Sequence, residues 1–374
     1  MAHVTGVKSS LHNDRKHVVH DSDDQPSHVW AKQQEVAELD GPATGSLKDG
    51  KLDDYDSNAR APYEHMDFLG RGHSGLVEKV QHKSTKQIYA RKLMAVPKRK
   101  QAEQESIFLN EIAIIRKLYS HRHFVEVIEA YRTKQHFAII LWPVAEDGDL
   151  SEYLDRYCDI KKSTKNTEST NLEREAAETK LKAATVVLEQ AFGCLVSGLA
   201  FMHEQQIRHR DIKPQNVLMH SGTVFFTDFG YSLDSSPLSQ SATEGRPSFV
   251  TRRYCAPEVL EHERRDSSSD VWSLGCVLIE VLSALTHPIE IDGNPIYSEA
   301  MPKIHAGLVN ASISDEYLPL IHTLIGMTSL EASMRPSSKV VQESLVIHTS
   351  FNCAECRAGT SMSLTAGAES QCAG

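Results

Sequence analysis

Two short stretches hold residues whose types and spacing suit phosphate chemistry. His209-Arg210-Asp211-Ile212-Lys213-Pro214-Gln215-Asn216 puts a carboxylate, a lysine two places on and an amide five places on into one loop. A carboxylate there can take a proton from an attacking hydroxyl, a lysine can hold a phosphate oxygen, and an amide oxygen can ligate a hard divalent cation. Asp228-Phe229-Gly230 follows the strand-like run Val224–Thr227, twelve residues after Asn216, and offers a second oxygen ligand. Magnesium needs only a few protein oxygens when phosphate oxygens complete its shell, so one Asp and one Asn suffice.

Upstream, Gly70-Arg71-Gly72-His73-Ser74-Gly75-Leu76-Val77 fits G-x-G-x-x-G-x-V. Glycines so placed let the backbone approach phosphate closely. Dinucleotide-binding folds share this spacing, but they open a helix at the third glycine. Here Leu76–Val80 reads as strand, and basic residues occupy the place of the ribose-binding acid. Lys92 follows in a β-type run. Glu111 falls on the helical face that carries Phe108, Ile112 and Ile115, where a carboxylate is costly unless paired. Lys92 is the natural partner.

These residues need a scaffold of two kinds. Short alternating runs over Glu64–Val80 and Gln87–Ala95 read as strands, as do Val125–Ala130 and Phe137–Leu141. A helix is expected over Gln101–Leu118, with Phe108, Ile112, Ile115 and Leu118/Tyr119 on one face. Beyond Leu150 helices dominate, including Val186–His203 and an all-apolar, hence buried, Val271–Leu285. The expected fold is α+β and bilobal: a small β-rich N-lobe over about 61–143 and a larger helical C-lobe over about 144–348. Residues 1–60 and 349–374 are polar, without period, and read as disordered. A charged run between Asp159 and Lys182 reads as a solvated insertion, part loop and part exposed helix.

Composition sets outer bounds. With 374 residues, 40% hydrophobic and 24% charged, the chain resembles an ordinary globular protein. A net charge of −10 argues against a nucleic-acid binder. No stretch reads as the roughly 18 apolar residues of a membrane span, and no signal peptide or lipidation motif is evident: Ala2 replaces the myristoylated glycine and Cys372 is one place too late for prenylation. Seven scattered cysteines do not make a disulfide framework, and the lone pair Cys353 and Cys356 reads as free thiols. A reducing compartment, cytosol or nucleus, is expected.

The ordered set of motifs resembles the eukaryotic protein kinase family from about Tyr63 to Ile347. The resemblance implies transfer of the γ-phosphate of ATP to serine or threonine hydroxyls of protein substrates, with Mg²⁺. It assigns Asp211 as base, Lys213 as the γ-phosphate contact, and Asn216 and Asp228 as metal ligands. ATP would be held by Gly70, Arg71, Gly72, His73, Ser74, Gly75, Val77, Ala90, Lys92, Glu111 and Leu218. Ala256-Pro257-Glu258 resembles the end of an activation segment, Asp270 the buried acid beneath the catalytic loop, and Arg335 the ion-pair partner of Glu258. Lys213 two places after Asp211, with Thr251 five before Ala256, resembles the serine/threonine branch. A catalytically dead scaffold on this fold typically lacks the lysine, the base or a metal ligand, and here none is lost.

Some features are this chain's own. Arg91 should point away from Lys92, on the opposite strand face. Ser239, Ser241, Thr243 and Ser248 are candidate phosphorylation sites, and Arg210 could receive such a phosphate. Counting back from Gly148 puts Trp142 at the position closing the pocket behind adenine, in a hinge that resembles those of filamentous-fungal kinases. Glu146, Asp147, Asp149, Glu152 and Asp155 form an acidic run that would favour basic residues upstream of the target hydroxyl.

Overall fold

The computed structural model describes residues 52–72, 75–96, 99, 101–165, 170–236, 251–261, 265–286 and 295–358. The first part is a sheet of six strands: β1 (Asp53–Tyr55), β2 (Tyr63–Gly72), β3 (Gly75–His82), β4 (Ile88–Ala95), β5 (Glu126–Thr133) and β6 (His136–Trp142). Their order is β1-β5-β6-β4-β3-β2, antiparallel except where β1 runs parallel to β5. Both faces are covered, so alternate residues enter different cores. Leu93, Ala138 and Ile140 join Tyr63, Val80 and Tyr131 on the outer face. Ala90, Met94, Phe137, Ile139 and Leu141 face the main core.

Helix α1 (Gln101–Leu118) closes that inner face with Phe108, Ile112, Ile115 and Leu118, as its periodicity predicts. Tyr119, just past its end, is 71% exposed and leaves the face.

The helical part comprises α2 (Leu150–Ser163), α3 (Asn171–Glu204), α4 (Pro257–Leu260), α5 (Ser268–Leu285), α6 (Tyr297–Asn310), α7 (Leu318–Met327) and α8 (Ser338–Val346). Between α3 and α4 lie the two-residue strands β7 (Ile207–Arg208) and β10 (Leu233–Asp234), paired with each other, and the hairpin β8 (Val217–His220) with β9 (Thr223–Phe226). The architecture is the expected small β-rich lobe and larger helical lobe.

The charged run after Asp159 contains exposed helix, as expected, at both of its ends: α2 continues to Ser163, and α3 starts at Asn171 behind a capping box in which Thr170 and Glu173 satisfy each other's backbone N–H. Two other expectations change. Two helices, α3 and α5, are long and apolar enough to cross a membrane by length and composition, contrary to the sequence reading. Most of each apolar window is buried in the core, which accounts for its character.

The structured chain also passes both expected boundaries. Tyr55 in β1 packs edge-on against Tyr131 at 5.2 Å. At the other end Phe351 is buried against Phe192 and Tyr317, and the Asn352 amide donates to the carbonyls of Leu345 and His348. One anchor in a short polar stretch produces no periodicity.

Candidate active site

The loop after β7 is held from below. Asp270, near the start of α5, accepts the backbone N–H of His209 at 2.9 Å and of Arg210 at 2.8 Å, and hydrogen-bonds His203 Nε2 at 3.2 Å. Burial favours the neutral acid, but the His203 bond, the nearby imidazoles and the Arg210 N–H outweigh it, and the pKa lies below the ordinary carboxylate value. These bonds hold Arg210 in a left-handed backbone conformation (φ 69°) that such a residue adopts only under constraint. His209 is fully buried, donates from Nε2 to the Thr227 carbonyl at 3.0 Å and lies 5.0 Å from the Phe229 ring. The two motif loops are thereby locked together.

Asp211 sits at the centre of a side-chain network. Its Oδ2 accepts from Lys213 Nζ at 2.6 Å and from Asn216 Nδ2 at 3.0 Å, and its Oδ1 accepts from Thr251 Oγ1 at 2.9 Å. Lys213 also reaches Thr251 Oγ1 at 3.1 Å. Asn216 Nδ2 donates a second time, to the Asp211 carbonyl at 2.8 Å. Both amide hydrogens are thus used inward, which leaves Asn216 Oδ1 for a cation.

Asp228, also left-handed (φ 63°), presents Oδ1 to Lys92 Nζ at 2.8 Å. The same ammonium is 2.6 Å from Glu111 Oε1. Burial alone would drive the lysine towards its neutral form. The charges of Asp228 and Glu111 outweigh that and hold its pKa above the ordinary value. Glu111 is shifted the other way: its burial raises its pKa more than Lys92 lowers it. Helix α1 is further tied to the segment after Asp228. Asn110 Nδ2 donates to the Ser232 carbonyl at 3.1 Å, and Lys117 pairs with Asp234 at 3.1 Å. Neither link is visible in the sequence pattern.

The glycine turn joins β2 to β3, and its third glycine opens a strand, which disposes of the dinucleotide alternative. Gly75 has φ 153°, and a Cβ there would collide with the Leu93 carbonyl. At Gly70 a Cβ would meet nothing within 4 Å, so protein packing sets no requirement for glycine there. Arg71 is exposed, and His73 and Ser74 lie outside the described residues. Val77 pairs across from Lys92, Ala90 is buried in β4, and Leu218 lies in β8 beneath. All three pack on the main core and are an apolar set suited to enclosing a planar base. The oxygen set of Asn216 and Asp228, beside the Lys92 ammonium, suits Mg²⁺ with phosphate oxygens.

A family model described as the protein kinase domain matches residues 63–345. The chain belongs to the protein kinase family. Similar proteins include the serine/threonine-protein kinase pak-2 of Caenorhabditis elegans, 31% identical over 57% of this chain and 35% of its own. Human serine/threonine-protein kinase H1 is 28% identical over 64% of this chain and 50% of its own. Zebrafish (Danio rerio) serine/threonine-protein kinase Nek8 is 27% identical over 78% and 37%. The chain thus spans about half, or less, of the length of these curated relatives.

Within the kinase fold several positions resolve. Arg91 does leave the Lys92 face, and it is buried rather than solvated: it pairs with Glu78 at 2.6 Å and reaches the Tyr131 hydroxyl at 3.3 Å. Arg335 grips Glu258 with two bonds of 2.7 and 2.8 Å and stacks over Trp272 at 5.0 Å. The residue behind the adenine cleft is corrected from Trp142 to Leu141. Leu141 pairs with Ala90 and faces the main core with Ile139 and Phe137, whereas Trp142 has the opposite strand parity and pairs with Glu126. The acidic run is partly used internally. Glu146 lies 3.6 Å from Lys79, Asp149 caps α2 through the Glu152 N–H, and Asp147 accepts the Ser221 N–H. Ser239, Ser241, Thr243 and Ser248 lie outside the described residues. Cys353 and Cys356 are free thiols, as expected, but they are not a lone pair without histidines nearby: they lie together with His123 and Cys194.

Proposed function

We propose that this kinase transfers the γ-phosphoryl group of ATP to serine and threonine hydroxyls of other proteins. The carrying observation is the Asp211 carboxylate, which accepts hydrogen bonds from Lys213, Asn216 and Thr251 at once. A carboxylate so oriented can receive the proton of an incoming hydroxyl, with one neighbouring ammonium to hold phosphate charge.

In this reading Lys213 swings between Asp211 and the γ-phosphate, and Lys92 holds the inner phosphates while Glu111 fixes its position. Asn216 Oδ1 and Asp228 would hold Mg²⁺, which when bound neutralises charge on the transferring phosphate. Catalysis is then mostly positioning and electrostatics. Gly70, Gly72 and Gly75 bring the backbone close to the phosphates, while Val77, Ala90 and Leu218 enclose the base. The names of the relatives, all serine/threonine kinases, and the Lys213–Thr251 contact support the choice of hydroxyl. Cytosol or nucleus is the compartment proposed. A preference for basic residues upstream of the target rests on the exposed Glu152 and Asp155, since the other acids of the run have partners of their own.

The test is transfer from labelled ATP, with Mg²⁺, to a mixed basic protein and to the chain itself, beside Asp228→Ala. Label on serine and threonine from the wild type alone supports the proposal. No label from the wild type, even after treatment with an upstream kinase, points instead to a binding scaffold.

A further inference from the structure

Four side chains far apart in sequence converge away from the phosphate cleft. His123 lies between α1 and β5, Cys194 lies within α3, and Cys353 and Cys356 belong to the segment after α8. Their ligand atoms all lie within 4.8 Å of one another. His123 Nε2 is 3.1 Å from Cys356 Sγ and 3.7 Å from Cys353 Sγ, and Cys194 Sγ accepts the backbone N–H of Cys353 at 3.4 Å. His123, Cys194 and Cys356 are buried, and Cys353 is half-buried.

We propose that His123, Cys194, Cys353 and Cys356 form a closed, structural zinc site that fastens the C-terminal segment to the catalytic lobe. Three thiols and one imidazole make a donor set that zinc takes in tetrahedral structural sites. Bond lengths of about 2.3 Å to sulfur and 2.0–2.1 Å to nitrogen put tetrahedral ligands roughly 3.4–3.8 Å apart. The two imidazole–sulfur separations, 3.1 and 3.7 Å, stand close to that range and all four ligand atoms lie within 4.8 Å of one another, so shifts of about an ångström or less would complete the shell. A hard cation such as magnesium would find no oxygen donors in the set.

The imidazole distinguishes a metal site from a redox pair. A dithiol that cycles to a disulfide needs two sulfurs, whereas here a third thiol and a fully buried ring are gathered with them, completing a set of four donors. His123 Nδ1 donates to the Val224 carbonyl at 2.8 Å. That bond fixes the tautomer and turns the Nε2 lone pair towards the cysteines, as outer hydrogen bonds do for metal-bound histidines. Four protein donors leave no open position, which indicates a structural centre. Binding Zn²⁺ releases three thiol protons and leaves a centre of net charge −1. Arg122, beside His123 and paired with Glu355 between the two tail cysteines, supplies positive charge there.

The consequence for the enzyme runs through β9. The His123 carbonyl accepts the Phe226 N–H at 2.8 Å, two residues before Asp228, and Val125 N–H bonds the Phe226 carbonyl at 3.3 Å. A metal at His123 would therefore brace the strand that delivers Asp228 to the cleft.

The experiment is metal analysis of the full chain expressed in zinc-supplemented medium and purified under reducing conditions without chelator. About one equivalent of zinc is expected in the wild type and in Cys158→Ser, and less than about a tenth in Cys353→Ser/Cys356→Ser. Should that double variant fail to fold, Co²⁺ exchanged into the wild type gives an independent reading. Tetrahedral d–d bands with thiolate-to-cobalt charge transfer support the site. The proposal is overturned by wild-type protein that is folded yet holds less than about a tenth of an equivalent and shows no such bands. A disulfide among Cys194, Cys353 and Cys356 in protein purified under those conditions overturns it as well.

Discussion

Lys92 Nζ lies 2.6 Å from Glu111 Oε1, with the two side chains only 7% and 1% exposed. The pair links the middle strand of the small lobe to helix α1, and the third member, Asp228, brings in the metal-ligand loop at 2.8 Å. Lys92→Met would leave two carboxylates facing each other without a cation. Breaking such a buried pair costs about 3–5 kcal/mol, and losing a positive contact to phosphate lowers turnover by about 10²–10³-fold. Glu111→Gln keeps an acceptor for the ammonium and should lose less stability. Denaturant melts and steady-state kinetics on both variants check this, and equal destabilisation by the two would contradict it.

Among the described residues, Thr251 is the one member of the Asp211 network that comes from outside the catalytic loop. Thr251→Val keeps its shape and removes the hydroxyl that bonds both Asp211 and Lys213. A hydrogen bond to a charged group is worth about 1.5–3 kcal/mol, so kcat should fall roughly 10–100-fold. Thr251→Ser should stay close to wild type, and KM for ATP should not move in either. A change confined to KM would assign Thr251 to substrate binding alone.

Much of this site is legible in the sequence because its parts are local. Asp211, Lys213 and Asn216 share one loop, and Glu111 betrays its partner by standing on an apolar helix face. What stayed hidden depends on contacts across the chain. His123 and Cys356 are 233 residues apart, and nothing local announces that α3 brings Cys194 between them. Counting across the hinge points to Trp142, but one residue of drift there inverts strand parity. Leu141 is found only from its pairing with Ala90.

Arg210 has no salt-bridge partner among the described residues, and its pKa sits below the usual arginine value through burial first and then the charges of Arg265 and Arg208. Arg208 Nη1 bonds the Arg265 carbonyl at 2.7 Å, which keeps these cations close. A phosphate on the segment between Asp228 and Glu258 would answer that charge. Phosphatase treatment of the purified kinase should then lower its activity several-fold. Arg210→Ala should start low and respond little. An equal proportional loss in both proteins would separate Arg210 from any phosphate.

Arg335 holds Glu258 with two bonds, adds a bond to the Ser329 carbonyl at 2.8 Å and covers Trp272. None of these atoms touches the cleft, so the expected effect is on stability. Arg335→Ala should cost about 3–5 kcal/mol by stranding a buried carboxylate. Arg335→Lys should recover only part, because an ammonium cannot reproduce the planar fork. A double-mutant cycle with Glu258→Gln should show strong coupling, and additive losses would contradict the pairing.

His305 sets the direction of one pH effect. It is half-buried in α6 with Nε2 2.8 Å from Thr328 Oγ1, and burial lowers its pKa below the ordinary histidine value of about 6.5. The unfolded chain therefore takes up this proton first as pH falls. The contribution is complete above about pH 6.5 and shrinks as pH drops from there towards the folded value. His305→Gln removes the titration while keeping a donor for Thr328. Denaturation midpoints measured from pH 8 to pH 5.5 should fall less steeply for His305→Gln than for the wild type, with the curves closest at pH 8. Parallel curves would show that His305 titrates alike in the folded and unfolded chain.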